Sequence, residues 1–279
     1  MKKIIAAFDG LKFSESTLSY ALFLAKQTNS HLVGVFLEDQ FFSGPKIHYT
    51  IPNKKGTNKR INSSLQSEEL NLKKSMHRFE LACQNEKLNF SMHHDQHVPI
   101  LDLQKESIYA DFLIIDRNET LTNYSESQPT RFINTLLSDI HCPVLLVPST
   151  FTPIIYTELL YNGEPTSVNA IKLFSYLFPS FESKNTHLIS VNPYSGNLHL
   201  QEGVLLKELI KRHFPDTAFT VLKGLAEIEL IKYLIKKPDN TLVVMGSLKR
   251  GALSRLLWVS MVDFVLKDLN LPVFIVYSE

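Results

Sequence analysis

The residues that first suggest chemistry are three histidines in a short run. His93, His94 and His97 lie close together, and imidazole is a common ligand of transition metals. A strand sends consecutive side chains to opposite faces, so His93 and His94 cannot both join His97 around one metal ion. Because no clear further ligands lie nearby, we expect no metal site.

Motifs for nucleophilic catalysis and phosphate binding are missing from the sequence. No strand-like run is followed by Gly-x-Ser-x-Gly, by a Walker loop or by Gly-x-Gly-x-x-Gly. Cys142 precedes an apolar run, which favours a small buried residue over a nucleophile. We therefore expect no catalytic residues and no enzymatic activity.

Composition and charge narrow the classes of partner. The chain has 279 residues, of which 44% are apolar, and its 29 basic side chains nearly balance 28 acidic ones. A net charge of +1 gives no electrostatic basis for binding nucleic acid or an anionic membrane. The two cysteines cannot make a disulfide framework, and no apolar run has the length of a secretory signal or a membrane span. The sequence therefore predicts a cytoplasmic protein.

The elements that would position a site occur twice along the chain. Residues 4–10 form an apolar run that ends in a turn, and residues 154–163 repeat this arrangement. Apolar runs and amphipathic stretches then alternate in each half as β-α-β-α-β-α-β-α-β, which favours a parallel sheet covered by helices on both faces. We predict two domains, 1–149 and 153–279, joined by a short polar link at 149–153.

Two local features refine this division. A serine follows the first turn of each half by four residues, and we predict that Ser14 and Ser167 cap the first helices. The first half also contains an insertion at about 38–62, followed by a helix predicted over 67–85. The insertion carries five basic residues with no acidic residue between them: Lys46, Lys54, Lys55, Lys59 and Arg60. It is either a solvated flexible loop or a docking loop for an acidic partner.

These motifs resemble the universal stress protein family. The first half matches in Phe8-Asp9-Gly10 with Ser14 behind it, in the strand after Ala110-Asp111, and in the ending His141-Cys142-Pro143. The second half matches over residues 245–257, Met-Gly-Ser-Leu-Lys-Arg-Gly-Ala-Leu-Ser-Arg-Leu-Leu. The resemblance covers essentially the whole chain. It implies an α/β fold of two tandem doubly wound parallel sheets, each with five strands in the order 3-2-1-4-5, of the adenine nucleotide alpha hydrolase-like class.

The resemblance also implies where a ligand would bind. Many members of the family bind ATP and others do not. For this strand order the crevice lies at the carboxyl ends of the first and fourth strands. Nucleotide-binding relatives have an Asp at the end of the first strand. After the fourth strand they have Gly-x-x-Gly, nine residues, then Gly-Ser or Gly-Thr, whose bare backbone approaches the phosphates.

In the first half the motif fails after its first residue. Asp9 matches the Asp of the relatives, but Asp116 replaces the first glycine and no glycine follows before Pro143. A carboxylate facing a triphosphate is repulsive unless a cation lies between them. We therefore expect that Asp9 is a vestige and that the nucleotide site of this half is lost.

In the second half the motif is degraded. Gly246 and Ser260 match the first glycine and the hydroxyl, while Lys249, Val259 and Asn162 replace two glycines and the Asp. Lys249 and Arg250 could attract phosphates, and Gly251 could restore some backbone freedom. The alternative is that the two glycines only shape a turn. The candidate crevice residues are Asn162, Gly246, Lys249, Arg250, Gly251 and Ser260.

The resemblance implies a non-enzymatic stress-response protein that acts as a binding or regulatory module. The alternative is an ATP-binding sensor, or a Mg-ATP-dependent ATPase or phosphotransferase, that uses the second crevice. ATP is the one cofactor left open, and other proteins are the expected partners. The last strands, 143–147 and 272–277, would lie at sheet edges. Their pairing would give an intramolecular pseudo-dimer, and a homodimer is the other outcome.

Overall fold

The computed structural model describes residues 2–10, 12–38, 57–94, 98–122, 124–181, 185–192, 202–248 and 261–278, with only the backbone for 57–68 and 278. These residues form ten strands and eight α-helices. The strands are β1 (Lys3–Asp9), β2 (His31–Leu37), β3 (Phe90–His93), β4 (Phe112–Asp116), β5 (Val144–Val147), β6 (Tyr156–Leu160), β7 (Thr186–Asn192), β8 (Ala218–Lys223), β9 (Thr241–Leu248) and β10 (Val273–Ser278). The helices are α1 (Glu15–Thr28), α2 (Thr57–Asn85), α3 (Pro99–Ile108), α4 (Arg131–Leu136), α5 (Pro165–Leu177), α6 (Gly203–His213), α7 (Ala226–Leu234) and α8 (Met261–Asp268).

The described strands form one continuous sheet. Its order is β3-β2-β1-β4-β5-β10-β9-β6-β7-β8, so each half has the predicted order 3-2-1-4-5. The two five-stranded sheets are joined through β5 and β10, the last strand of each half. This pair is antiparallel, whereas the other described neighbours are parallel. The crossover helices between parallel strands cover both faces.

The core consists of two layers, one on each face of the sheet. Strands such as β1 and β4 are buried on both faces, which explains their continuous apolar sequences. One layer packs under α1, α2, α5 and α6, and the other under α3, α4, α7 and α8. In the first layer an aromatic contact crosses the boundary, because Phe112 and Phe178 lie 4.9 Å apart between ring centroids.

The first helices of the two halves begin differently. Ser14 caps α1 as predicted, since its Oγ accepts a hydrogen bond from the backbone N–H of Thr17 at 3.2 Å. The prediction for Ser167 is wrong. α5 begins at Pro165, whose fixed φ suits the first helical position, and the Ser167 hydroxyl donates instead to the carbonyl of Glu164 at 2.7 Å.

The insertion is shorter than predicted. α2 begins at Thr57, so Lys59 and Arg60 belong to this helix, and Lys46, Lys54 and Lys55 lie outside the described residues. The added turns, residues 57–66, are mostly polar and include Thr, Asn and Ser, which have low helix propensity, so neither propensity nor an apolar stripe predicted a helix there. Both interpretations of the basic residues stay predictions. None of the described helices combines the length and apolar character needed to cross a membrane.

Candidate functional site

The crevice of the first half lies where β1 and β4 end. Asp9 and Asp116 close these neighbouring strands, as predicted. The carboxylate of Asp116 accepts hydrogen bonds from the Ser14 hydroxyl at 2.9 Å, and from the backbone N–H and side-chain amide of Asn118 at 2.9 and 3.1 Å. The loop after β4 therefore folds onto Asp116 and uses its oxygens internally.

Further hydrogen bonds hold this loop in place. The Asn118 amide also donates to Ser149 Oγ at 2.9 Å, and the Gln128 amide donates to Asn118 Oδ1. The Thr130 hydroxyl caps α4 and donates to the carbonyl of Glu119 at 2.5 Å. Polar side chains of the protein thus satisfy one another in the region where a ligand's phosphates would need bare N–H groups.

Glu119 adds a third carboxyl group to this crevice. Its Oε1 accepts hydrogen bonds from the backbone N–H groups of Thr120 and Leu121 at 2.9 and 2.8 Å. Burial, followed by the charge of Asp9, nevertheless raises the pKa of Glu119 to about 7, and Asp116 adds to the rise. Three carboxyl groups at the ends of β1 and β4 oppose the binding of a polyphosphate.

Arg117 turns away from the crevice and crosses to the second half. Its side chain is 3% exposed, and its guanidinium donates to Gln128 Oε1 at 2.7 Å and to the backbone carbonyl of Leu269. Leu269 directly follows α8, so Arg117 caps the carboxyl end of that helix. Burial lowers the pKa of Arg117 to about 10, against the opposing effect of Asp116. Nothing in the sequence indicated that Arg117 would contact Leu269.

The crevice of the second half is described only in part. Asn162 follows the end of β6, and Gly246 lies inside the neighbouring strand β9, two residues before its end. Lys249, Arg250, Gly251, Val259 and Ser260 lie outside the described residues. The Asn162 side chain is occupied locally, since its Oδ1 accepts a hydrogen bond from the backbone N–H of Glu164 at 3.1 Å.

The missing Cβ of Gly246 has a structural explanation. A Cβ at this position would lie 2.1 Å from the carbonyl oxygen of Thr166 and 2.7 Å from the backbone nitrogen of Ser167. The first turn of α5 therefore packs directly on β9 and leaves no room for a side chain. A glycine is therefore required at position 246 because the first turn of α5 lies against its backbone. Contact with a phosphate is not needed to explain this residue.

Comparison with solved structures decides the fold. A universal stress protein from Archaeoglobus fulgidus aligns with a TM-score of 0.66 and 12% identity, over 98% of this chain and 97% of that one. A functionally unknown protein from Pseudomonas aeruginosa aligns with a TM-score of 0.59 and 16% identity, over 99% and 92% of the two chains. A putative universal stress protein from Pseudomonas aeruginosa aligns at 0.57 and 17%, over 99% and 93%. The chain has the universal stress protein fold.

Sequence comparison adds nothing to this structural likeness. No sequence model of a known family matches the chain, and no curated protein matches it. The universal stress protein fold is thus present over nearly the whole length, while the residues of its crevices have to be interpreted from this chain alone.

The histidine run lies beside β3 of the universal stress protein fold. His93 Nδ1 lies 2.5 Å from Glu106 Oε1, whereas His94 Nε2 lies 3.2 Å from Glu38 Oε2. The two imidazoles therefore have separate partners, as expected for consecutive residues at the end of a strand. The residues from 95 to 97 lie outside the described part of the chain, and in the part that is described no three His, Cys, Asp or Glu side chains are placed so that they could hold one metal ion.

Both cysteines are buried in this fold. Burial raises the pKa of the Cys83 and Cys142 thiols to about 12, so each stays protonated at neutral pH. The prediction that Cys142 is a small buried residue is confirmed.

A buried ion pair is a second charged feature, besides the Arg117 contact, that sequence reasoning missed. Glu158 lies within the apolar run of β6 and is 1% exposed, and its Oε1 lies 2.6 Å from Lys237 Nζ and 3.4 Å from His187 Nδ1. Its Oε2 has no hydrogen-bond partner. One acidic residue in an otherwise apolar run was the only signal that a partner would be needed.

Proposed function

We propose that this chain is a tandem universal stress protein that acts in the cytoplasm as a non-enzymatic binding or regulatory module of the stress response. The first crevice no longer binds a nucleotide, and the second retains at most a weakened nucleotide-binding site. The fold of the solved relatives supports the family, and the two crevices support the loss of nucleotide binding.

The observation that carries this proposal is the engagement of Asp116. Its oxygens accept hydrogen bonds from Ser14 and Asn118, at the position where relatives that bind nucleotide have a glycine. A triphosphate would have to break these bonds and approach a carboxylate. Both costs work against binding, because the freed polar groups would need new partners and the charges repel.

The junction of the two halves supports the pseudo-dimer. The sheet order reads the same from either edge, and the fifth strands of the halves meet antiparallel. Two separate domains related by a two-fold axis would pair their edge strands in the same way. The chain thus contains both partners of the assembly.

The test is incubation of the purified protein with Mg-ATP while melting temperature and phosphate release are followed. A ligand at 100 times its dissociation constant stabilises a protein by about 2.7 kcal/mol, which a melting curve resolves. We expect little or no shift at millimolar Mg-ATP and no phosphate release. Phosphate release above the blank would contradict a non-enzymatic function, and a large shift without release would indicate an ATP sensor.

A variant with a restored loop provides the control. Lys249→Gly with Val259→Gly returns the two missing glycines to the second half. If their side chains are the main obstacle, this variant binds Mg-ATP more tightly than the natural chain in a calorimeter. Unchanged weak binding would locate the defect at Asn162 or in the pocket itself.

A further inference from the structure

Helix α3 exposes an apolar stripe that has a lysine in its middle. Leu101 and Ile108 are 59% and 56% exposed, and Lys105 lies between them. Residues four and seven positions apart lie on one side of an α-helix, so the three side chains form a row about 10 Å long. We call Leu101, Lys105 and Ile108 the α3 stripe.

Helix α7 of the second half repeats this row. Ile228 and Ile235 are 46% and 64% exposed, with Lys232 between them, and these three residues are the α7 stripe. The two helices correspond position for position. From 101 to 110 and from 228 to 237, each position has the same degree of burial, whether buried, half-buried or exposed.

The outward positions of these helices agree better than several of the inward ones. Buried Ser107 corresponds to Leu234, and half-buried Glu106 to Tyr233. The exposed stripe has Leu or Ile, then Lys, then Ile in both halves. The next exposed position, just after each stripe, differs: it is Tyr109 in the first half and Lys236 in the second. Packing against the sheet does not explain this agreement, because the stripes point away from the sheet.

The stripes have the size and pattern of a helix-docking surface. Burying one Leu or Ile side chain contributes about 1.5–3 kcal/mol, so four exposed ones hold substantial unrealised binding energy. An amphipathic helix docks through anchors spaced three, four or seven residues apart. A row of two apolar residues is too narrow for a membrane surface, which needs a wide apolar face with many basic residues.

The lysines define the charge of the partner. No carboxylate among the described residues lies within ion-pair distance of Lys105. Lys232 lies 2.9 Å from Glu229, but this pair is largely exposed and contributes little. If the partner were a second copy of this chain, the stripe of one copy would pack on the stripe of the other. The lysines in the middle of the two stripes would then face and repel each other. A partner with Asp or Glu between its apolar anchors fits instead.

We propose that the α3 stripe and the α7 stripe each dock an amphipathic helix of a partner protein, one whose two apolar anchors lie seven residues apart with an acidic residue between them. One chain would then hold two such helices. This proposal rests on the proposed function as a binding module and names its surface and its partner.

The test is a phage-displayed library of helical peptides, selected against the full chain. We expect enrichment of peptides with two apolar residues seven positions apart and Asp or Glu between them. Two such peptides should bind each chain. Ile108→Arg or Ile235→Arg alone should leave one peptide per chain, and the double variant should weaken binding at least tenfold. Lys105→Glu with Lys232→Glu should change the preferred middle residue to Lys or Arg.

Val204→Arg is the matched control, because Val204 is an exposed apolar residue of α6 on the other face of the sheet. It should leave peptide binding unchanged, and all variants should keep the melting temperature of the natural chain. Failure to enrich any peptide, or enrichment without an acidic preference, overturns the proposal. Peptides that still bind the double variant would refute the stripes and leave the binding module standing. Self-association of the natural chain that the double variant abolishes would make the occupant a second copy and also overturn the proposal.

Discussion

Leu145 of β5 and Phe274 of β10 lie directly opposite each other in the antiparallel pair that joins the two halves. Each follows the proline before its strand by two residues, so they occupy equivalent positions of the repeat. On either side, Val144 faces Ile275 and Leu146 faces Val273. This register places an approximate two-fold axis through the Leu145–Phe274 pair. Both side chains are buried, so the junction is part of the core.

Separating the halves should expose this junction. We expect residues 1–149 and 153–279, produced as two proteins, to self-associate through β5 or β10, because each strand would lose its partner and present unpaired backbone groups. Sedimentation velocity measures the outcome. Leu145→Lys in the first half is the control and should give a monomer. Two monomeric halves without this substitution would contradict the role of the edge strands.

Gly246→Ala should destabilise the protein through a collision within the chain. The added Cβ would lie 2.1 Å from the Thr166 carbonyl, and both sides of this contact are backbone, so β9 or α5 must move. We expect a loss of about 3 kcal/mol in the free energy of unfolding, measured with urea. Gly10→Ala is the comparison, with its nearest atom, Leu72 Cδ1, at 3.0 Å. Equal stability of the Gly246 variant and the natural chain would refute the packing explanation.

Glu119 should make stability depend on pH. The pKa of Glu119 is raised from about 4.5 in the unfolded chain to about 7 in the folded protein. Between about pH 4.5 and pH 7, folding is therefore accompanied by uptake of a proton at Glu119. The free energy of unfolding therefore falls as pH rises through this window, by an amount on the order of 3 kcal/mol. Glu119→Gln removes this dependence and should be more stable than the natural chain at pH 8. Identical pH profiles for the two proteins would show that Glu119 titrates normally.

Arg117→Met should loosen the carboxyl end of α8. The variant removes the donor that caps the Leu269 carbonyl, and hydrogen bonds from charged groups contribute about 1.5–3 kcal/mol. Hydrogen exchange should speed up most at the amides of 265–269. Arg131→Met, on the exposed surface of α4, is the matched control and should change stability by less than about 0.5 kcal/mol. Unaltered exchange at α8 in the Arg117 variant would argue against the cap.

Lys237→Met should be more harmful than loss of the whole ion pair. It leaves the buried Glu158 carboxylate without its main partner, which costs about 3–5 kcal/mol. Glu158→Gln in the same chain should recover much of this loss, because the unpaired charge is gone. Lys232→Met removes only an exposed pair and serves as the control. No recovery in the double variant would mean that Lys237 acts through packing.

Much of the fold could be predicted because periodicity and repetition report burial directly. The apolar runs of β1, β4 and β9 are buried on both faces, and their alternation with amphipathic stretches predicted a parallel sheet. The strand order followed from the resemblance to the universal stress protein family and not from periodicity. The sequence also showed that Asp116 replaces the first glycine of the nucleotide-binding motif. Local details were harder: Pro165 begins α5 ahead of Ser167, because a proline that favours the first helical position competes with a serine that favours the cap.

The rest depends on contacts between segments far apart in sequence. Arg117 and Leu269 are 152 positions apart, and no local pattern joins a loop arginine to a helix end in the other half. Gly246 has the same limitation, since a glycine that admits a helix and one that admits a phosphate are identical in sequence. Only the position of Thr166 separates the two explanations.

The joined sheet also determines how the two halves find each other. β5 and β10 belong to one chain, so they meet at an effective concentration set by the short link at 149–153 and independent of how much protein a cell makes. The junction therefore persists on dilution, where an assembly of separate subunits would dissociate. It also always joins one first half to one second half, which keeps the two differing crevices in a constant one-to-one ratio.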